Sequence, residues 1–89
     1  MRAYRIKIYG KVQGVGFRNF IKRNAEILNV KGWVKNCPDG TVEAHFEGGE
    51  ENVNKLIELC KRGPIRAEVK KLDIEETKLE GFSDFKIIY

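Results

Sequence analysis

The chain is poor in the features that announce a function by composition alone. Its 89 residues hold one histidine, two cysteines, two prolines and one tryptophan. No apolar run approaches the ~20 residues that a membrane-spanning helix needs, and the first residues lack the apolar stretch of a secretory leader. These absences set the expectation of a cytoplasmic protein with no membrane partner. Cys37 and Cys60 are too few for a disulfide framework, and neither belongs to a CxxC pair. With no cysteine–histidine cluster and no acidic pattern of metal-binding spacing, neither a metal site nor a cofactor is expected. Several phosphate chemistries are excluded by missing motifs. No Gly-Lys-Ser/Thr is present, and Asn19 stands where a GxGxxG fingerprint needs its third glycine. Cys37 opens no Cys-x5-Arg phosphatase signature, because the position that would need arginine is Glu43. No linker, repeat or low-complexity tract interrupts the chain, so residues 1–89 are read as one domain, expected as a monomer.

What the chain does have is charge. Charged residues make up 34% of it, with a formal net charge of +4 and an isoelectric point near 9.2. That balance favours anionic partners in general. It suits a phosphate ester, an acyl phosphate or RNA equally well.

Periodicity places the elements. Tyr4, Ile6 and Ile8 alternate with Arg5, Lys7 and Tyr9, which predicts a first strand. Phe17, Ile21, Ala25 and Leu28 then recur at helical spacing, with Asn29 suited to a left-handed C-terminal cap. Val30 to Asn36 reads as strand two, Cys37-Pro38-Asp39-Gly40 as a turn, and Val42, Ala44 and Phe46 as the inner face of strand three. Glu43, His45 and Glu47 point outward on that strand, and His45 has no evident partner. Glu50 and Glu51 open a second helix whose apolar stripe is Val53, Leu56, Ile57 and Cys60; Lys61-Arg62-Gly63-Pro64 closes it. Strand four falls within Ala67 to Thr77. Val69 and Leu72 break its two-residue parity, which calls for a bulge or a start near Lys71. Phe85, Ile87 and Tyr89 alternate in a short last strand. The order β-α-β-β-α-β plus an extra strand predicts an α+β, ferredoxin-like sandwich, with two helices on one face of an antiparallel sheet.

The chemistry concentrates in Gly10-Lys11-Val12-Gln13-Gly14-Val15-Gly16-Phe17-Arg18, between the first strand and the first helix. Glycines there let backbone N–H groups turn inward, and such a concavity at a helix N-terminus binds anions. Arg18 adds a planar fork of donors suited to phosphate. The blander alternative is a tight turn followed by a surface arginine. Asn36, at the end of strand two, fits either a turn-initiating role or a ligand role. An amide there accepts from a water with its oxygen and donates to a phosphoryl oxygen with its nitrogen. Cys37 reads as a passive thiol, and Tyr9 and Trp33 as packing aromatics.

Gly10-x-Val12-Gln13-Gly14-Val15-x-Phe17-Arg18 resembles the first signature of the acylphosphatases. Gly32-Trp33-Val34-Lys35-Asn36-x-x-x-Gly40-x-Val42, followed by Gly48, resembles their second. The resemblance implies hydrolysis of acyl phosphates, such as acetyl phosphate, carbamoyl phosphate or 1,3-bisphosphoglycerate, with inorganic phosphate as product. It also implies roles. Arg18 and the Gly10–Phe17 loop amides, from Gln13, Gly14, Val15, Gly16 and Phe17, would bind phosphate, and Asn36 would orient the attacking water. The expected chemistry needs no metal, because a mixed anhydride has a good leaving group. Two rivals remain. One is an RNA-binding module of similar topology, disfavoured because Glu43, His45 and Glu47 would repel phosphate where such a sheet needs aromatics. The other is an acylphosphatase-like domain of the hydrogenase-maturation kind, which handles carbamoyl phosphate.

Overall fold

Alternation in the first strand decides the layering. Ile6 and Ile8 are fully buried on one side of β1 (Arg2–Lys11), and two helices pack over them. The computed structural model describes residues 1–89. After β1 come α1 (Phe17–Ile27), β2 (Lys31–Asn36), β3 (Val42–Gly48), α2 (Glu50–Arg62), β4 (Glu68–Thr77) and β5 (Phe85–Ile88). The sheet order is β4-β1-β3-β2-β5. The β1–β3, β1–β4 and β2–β3 pairs are antiparallel, as expected. β5 runs parallel to β2, so the extra strand makes the sheet mixed.

One core joins the helices to the sheet. Phe17, Ile21 and Ala25 of α1 and Val53, Leu56, Ile57 and Cys60 of α2 meet Val34, Val42, Ala44 and Phe46 from the strands. Fully burying each of the Val, Leu, Ile and Phe side chains contributes roughly 1.5–3 kcal/mol. Asn29 has a φ of 56°. Its N–H donates to the Glu26 carbonyl, and the Val30 N–H donates to the Ala25 carbonyl. This double closure is the Schellman ending, and it turns the chain directly into β2. In β4 the parity break is a bulge. Tyr9 faces Lys71 and Gly10 faces Val69, which leaves Lys70 as the extra residue. The strand begins at Glu68, before the later start near Lys71.

The face opposite the helices differs from expectation. His45 and Glu47 do point outward, but their exposures are only 0% and 2%. The connection from β4 to β5 crosses over them. His45 Nε2 lies 2.7 Å from Glu47 Oε2, and Glu47 also accepts the Glu80 and Gly81 backbone N–H groups. The His45 ring sits 5.4 Å from Phe82 and stacks 6.1 Å from Trp33. Glu43 lies within 3.8 Å of Arg5 and 3.7 Å of Lys35. Of the three acids and bases expected to face solvent on β3, two are therefore buried and the third is paired. With His45 and Glu47 buried and Glu43 paired, these residues do not present unpaired charge that would repel phosphate on that face. No helix is long and apolar enough to cross a membrane.

Candidate active site

β1 delivers the chain to a loop that cannot be regular, because Gly14 and Gly16 both take left-handed backbone, at φ 74° and 79°. A Cβ at either would meet no atom within 4 Å. Backbone sign is thus what calls for glycine, and the space before both residues is open. Gly16 is the N-cap of α1 and offers no side chain to the helix N-terminus. The consequence is a run of free donors. The N–H groups from Gln13 to Asn19 have no backbone or side-chain acceptor in the protein. No buried side-chain polar atom, by contrast, lacks a partner.

The two helices handle their N-termini differently. α2 carries Glu50 and Glu51 in its first turn, which complement the positive end of its dipole. α1 has no acidic residue there and places Arg18 in that turn instead. A cation at that position is electrostatically unfavourable by itself. Arg18 belongs to no ion pair; the pair on α1 is Lys22 with Glu26, at 2.8 Å. The Arg18 guanidinium lies 5.1 Å from the centre of the Tyr89 ring.

A cleft of about 90 Å³ gathers these groups. Gly14, Gly16, Phe17, Arg18, Asn19, Asn36 and Tyr89 line it, with Val12 and Ile87 supplying apolar wall. No Asp, Glu, His or Cys side chain lines it. At about 30 Å³ per water, the volume holds a small anion or a few waters. Asn36 reaches the cleft from the last position of β2, and its side chain makes no hydrogen bond within the protein.

Sequence-derived candidates fall into two groups. Arg18, Asn36, Gly14, Gly16 and Phe17 come together at the cleft. Val15 and Phe17 are buried in the core, so their backbone is what they can offer a ligand. The Gln13 side chain is directed elsewhere, donating to the Cys37 and Thr41 carbonyls at 2.8 and 2.9 Å. Asn19, Ile87 and Tyr89 line the cleft without having been singled out as ligands. Asn19 had a signal, as the polar neighbour of Arg18. Ile87 and Tyr89 had none, because their position depends on how β5 pairs.

Charge next to the cleft is held by the turn after β2. Asp39 accepts from the Thr41 hydroxyl at 2.6 Å and the Thr41 N–H at 3.1 Å, and pairs with Lys7 at 3.1 Å. Those bonds hold its carboxyl down at about 2. A larger hollow, of about 810 Å³, lies along α2 beside Leu28 and Leu59. Four of its five charged residues pair with one another, Lys55 with Glu51 and Lys61 with Glu58. It holds none of the free backbone donors of the glycine loop, so the smaller cleft is the candidate site.

Comparison with known proteins identifies the family. The acylphosphatase family model matches residues 4–87. A curated acylphosphatase of Methanothrix thermoacetophila is 46% identical over 85 residues, covering 96% of this chain and 94% of that protein. The crystal structure of an acylphosphatase from Bacillus subtilis superposes with a TM-score of 0.97 at 41% identity, over the whole of both chains. Part of full-length HypF, in its phosphate- and nucleotide-bound form, superposes at 0.88 with 31% identity. That match spans 99% of this chain and 12% of HypF. A two-helix, five-stranded α+β chain matched over its length in sequence and in structure belongs to the acylphosphatase family, the enzymes that hydrolyse acyl phosphates.

Proposed function

We propose that the cleft hydrolyses acyl phosphates to a carboxylate and inorganic phosphate without a metal ion. In this reading the N–H groups of Gln13 to Phe17, with Arg18, hold the phosphoryl oxygens. Asn36 orients the attacking water with its amide oxygen and supports the phosphoryl group with its nitrogen. The observation that carries the reading is the run of unpaired N–H donors from Gln13 to Asn19, at a helix N-terminus free of acidic side chains.

The chemistry follows from the substrate. A carboxylate leaves a mixed anhydride readily, so no strong general acid is needed. The task left to the protein is to hold the phosphoryl group in line with water and to stabilise charge on its oxygens. Backbone donors suit this because they are fixed by the fold before substrate arrives. Arg18 adds a bidentate cation that tolerates desolvation better than an ammonium. Asp or Glu side chains at the cleft would repel the substrate, and its lining holds none. Acetyl phosphate, carbamoyl phosphate and 1,3-bisphosphoglycerate all present the same phosphoryl anhydride.

The test is phosphate release from acetyl phosphate with and without excess chelator. Turnover should be the same in both. Loss on chelation, restored by magnesium or zinc, would overturn the metal-free mechanism.

A further inference from the structure

We infer that Gln13 is a positioning residue for Asn36, and that its side chain does not bind phosphate. The inference rests on the proposed roles of Arg18 and Asn36, and adds how the two halves of the site are kept in register. Those halves come from separate parts of the chain. The loop and Arg18 follow β1, whereas Asn36 ends β2. Gln13 Nε2 bridges them, donating to the Cys37 carbonyl at 2.8 Å and the Thr41 carbonyl at 2.9 Å. Cys37 is the residue after Asn36, and its N–H, in the Asn36–Cys37 peptide, donates to the same Thr41 carbonyl that Gln13 reaches, so both Gln13 bonds land on the turn that holds the end of β2 in place.

Both carbonyls have a backbone donor as well. Cys37 accepts from the Gly40 N–H at 3.1 Å, and Thr41 accepts from the Cys37 N–H at 2.9 Å. The turn therefore closes without Gln13, and removing that side chain orphans neither acceptor. What it removes is the tie between turn and loop. With both amide hydrogens committed to carbonyls, the side chain has no donor left for a phosphoryl oxygen.

The experiment compares Gln13→Met, Asn36→Ala and the double variant, with Gln13→Glu as a same-shaped companion lacking the donors. Each is assayed for kcat on acetyl phosphate, inhibition by inorganic phosphate, and melting temperature. Misplacing a reacting group by about 1 Å costs on the order of 10² in rate. Gln13→Met and Gln13→Glu should lose about that much in kcat, while phosphate inhibition stays within about threefold because the loop amides and Arg18 remain. The double variant should be no slower than Asn36→Ala, since both changes remove the same aligned amide. Phosphate inhibition weakened in step with kcat, most severely in Gln13→Glu, would make the side chain a ligand and overturn the inference. Multiplicative losses in the double variant, or full turnover in Gln13→Met, would overturn it equally while leaving the site reading intact. Full turnover in Asn36→Ala would instead bring down that reading, and this inference with it.

Discussion

Arg18 occupies a position that folding alone does not favour. A cation in the first turn of α1 opposes the helix dipole by about 0.3–1 kcal/mol, with no carboxylate to offset it. The stacking on Tyr89 returns a comparable ~0.5–1 kcal/mol. Arg18→Gln should therefore shift the melting temperature by only a few degrees. Its effect on chemistry should be much larger, because an arginine that stabilises phosphoryl transfer contributes roughly 10³–10⁵ in rate. Inhibition by phosphate should weaken too. Arg18→Lys should recover little, since a point ammonium cannot reproduce the fork. Near-normal turnover in the lysine variant, measured beside phosphate inhibition, would show that charge alone suffices.

At the scale of elements, the strap of residues 78–84 is tied down through one carboxylate. Burial alone would raise the Glu47 pKa. Hydrogen bonds from His45 and from the Glu80 and Gly81 N–H groups outweigh that, and leave it below its ordinary 4.5. A carboxylate whose pKa is depressed by folding stabilises the fold above its unfolded value, and loses that contribution as pH falls through the folded one. Urea midpoints of the native protein should therefore drop on acidification below about pH 4.5. Glu47→Gln should flatten that dependence. It should also lower stability at neutral pH by about 1.5–3 kcal/mol, the range for hydrogen bonds to a charged group. Equal acid sensitivity in the two proteins would assign the effect to other carboxylates. Because the strap leads into β5, the same tie places Ile87 and Tyr89 at the cleft.

The whole molecule has one core, and its two thiols report on different depths of it. Cys60 is fully buried within α2, and burial pushes its thiol up to about 12. Cys37 is partly exposed in the turn beside the site. A thiol reagent under native conditions should modify Cys37 first. Cys60 should follow only through global opening, slower by roughly three orders of magnitude or more for a domain of ordinary stability. Comparable labelling rates would mean that α2 detaches locally from the sheet. With Asp39 held near 2 by Thr41 and Lys7, the turn that carries Cys37 should keep its charge pairing through the acid range in which the strap loosens.

Local periodicity and backbone demands by themselves determined most of the scaffold. Alternation at Tyr4–Tyr9 and helical spacing from Phe17 to Leu28 say which faces must be dry. Gly14, Gly16 and Asn29 say where the backbone must turn left-handed. Those are short-range properties, and together with the two glycine motifs they point to the family and to Arg18 and Asn36 at one site. Tertiary structure alone decided the rest. It set the parallel pairing of β5 with β2, the burial of His45 and Glu47 under the strap, and the reach of Gln13 to Cys37 and Thr41. The Gln13 and Glu47 hydrogen bonds join residues 24 to 34 positions apart, and the β5–β2 partners lie farther apart still. A two-residue period marks a side chain as outward but carries no information on what later crosses over it. Glu47 looks solvated until the Glu80 and Gly81 N–H groups donate to it, and nothing in the spacing shows that the Gln13 side-chain amide donates to the Cys37 and Thr41 carbonyls.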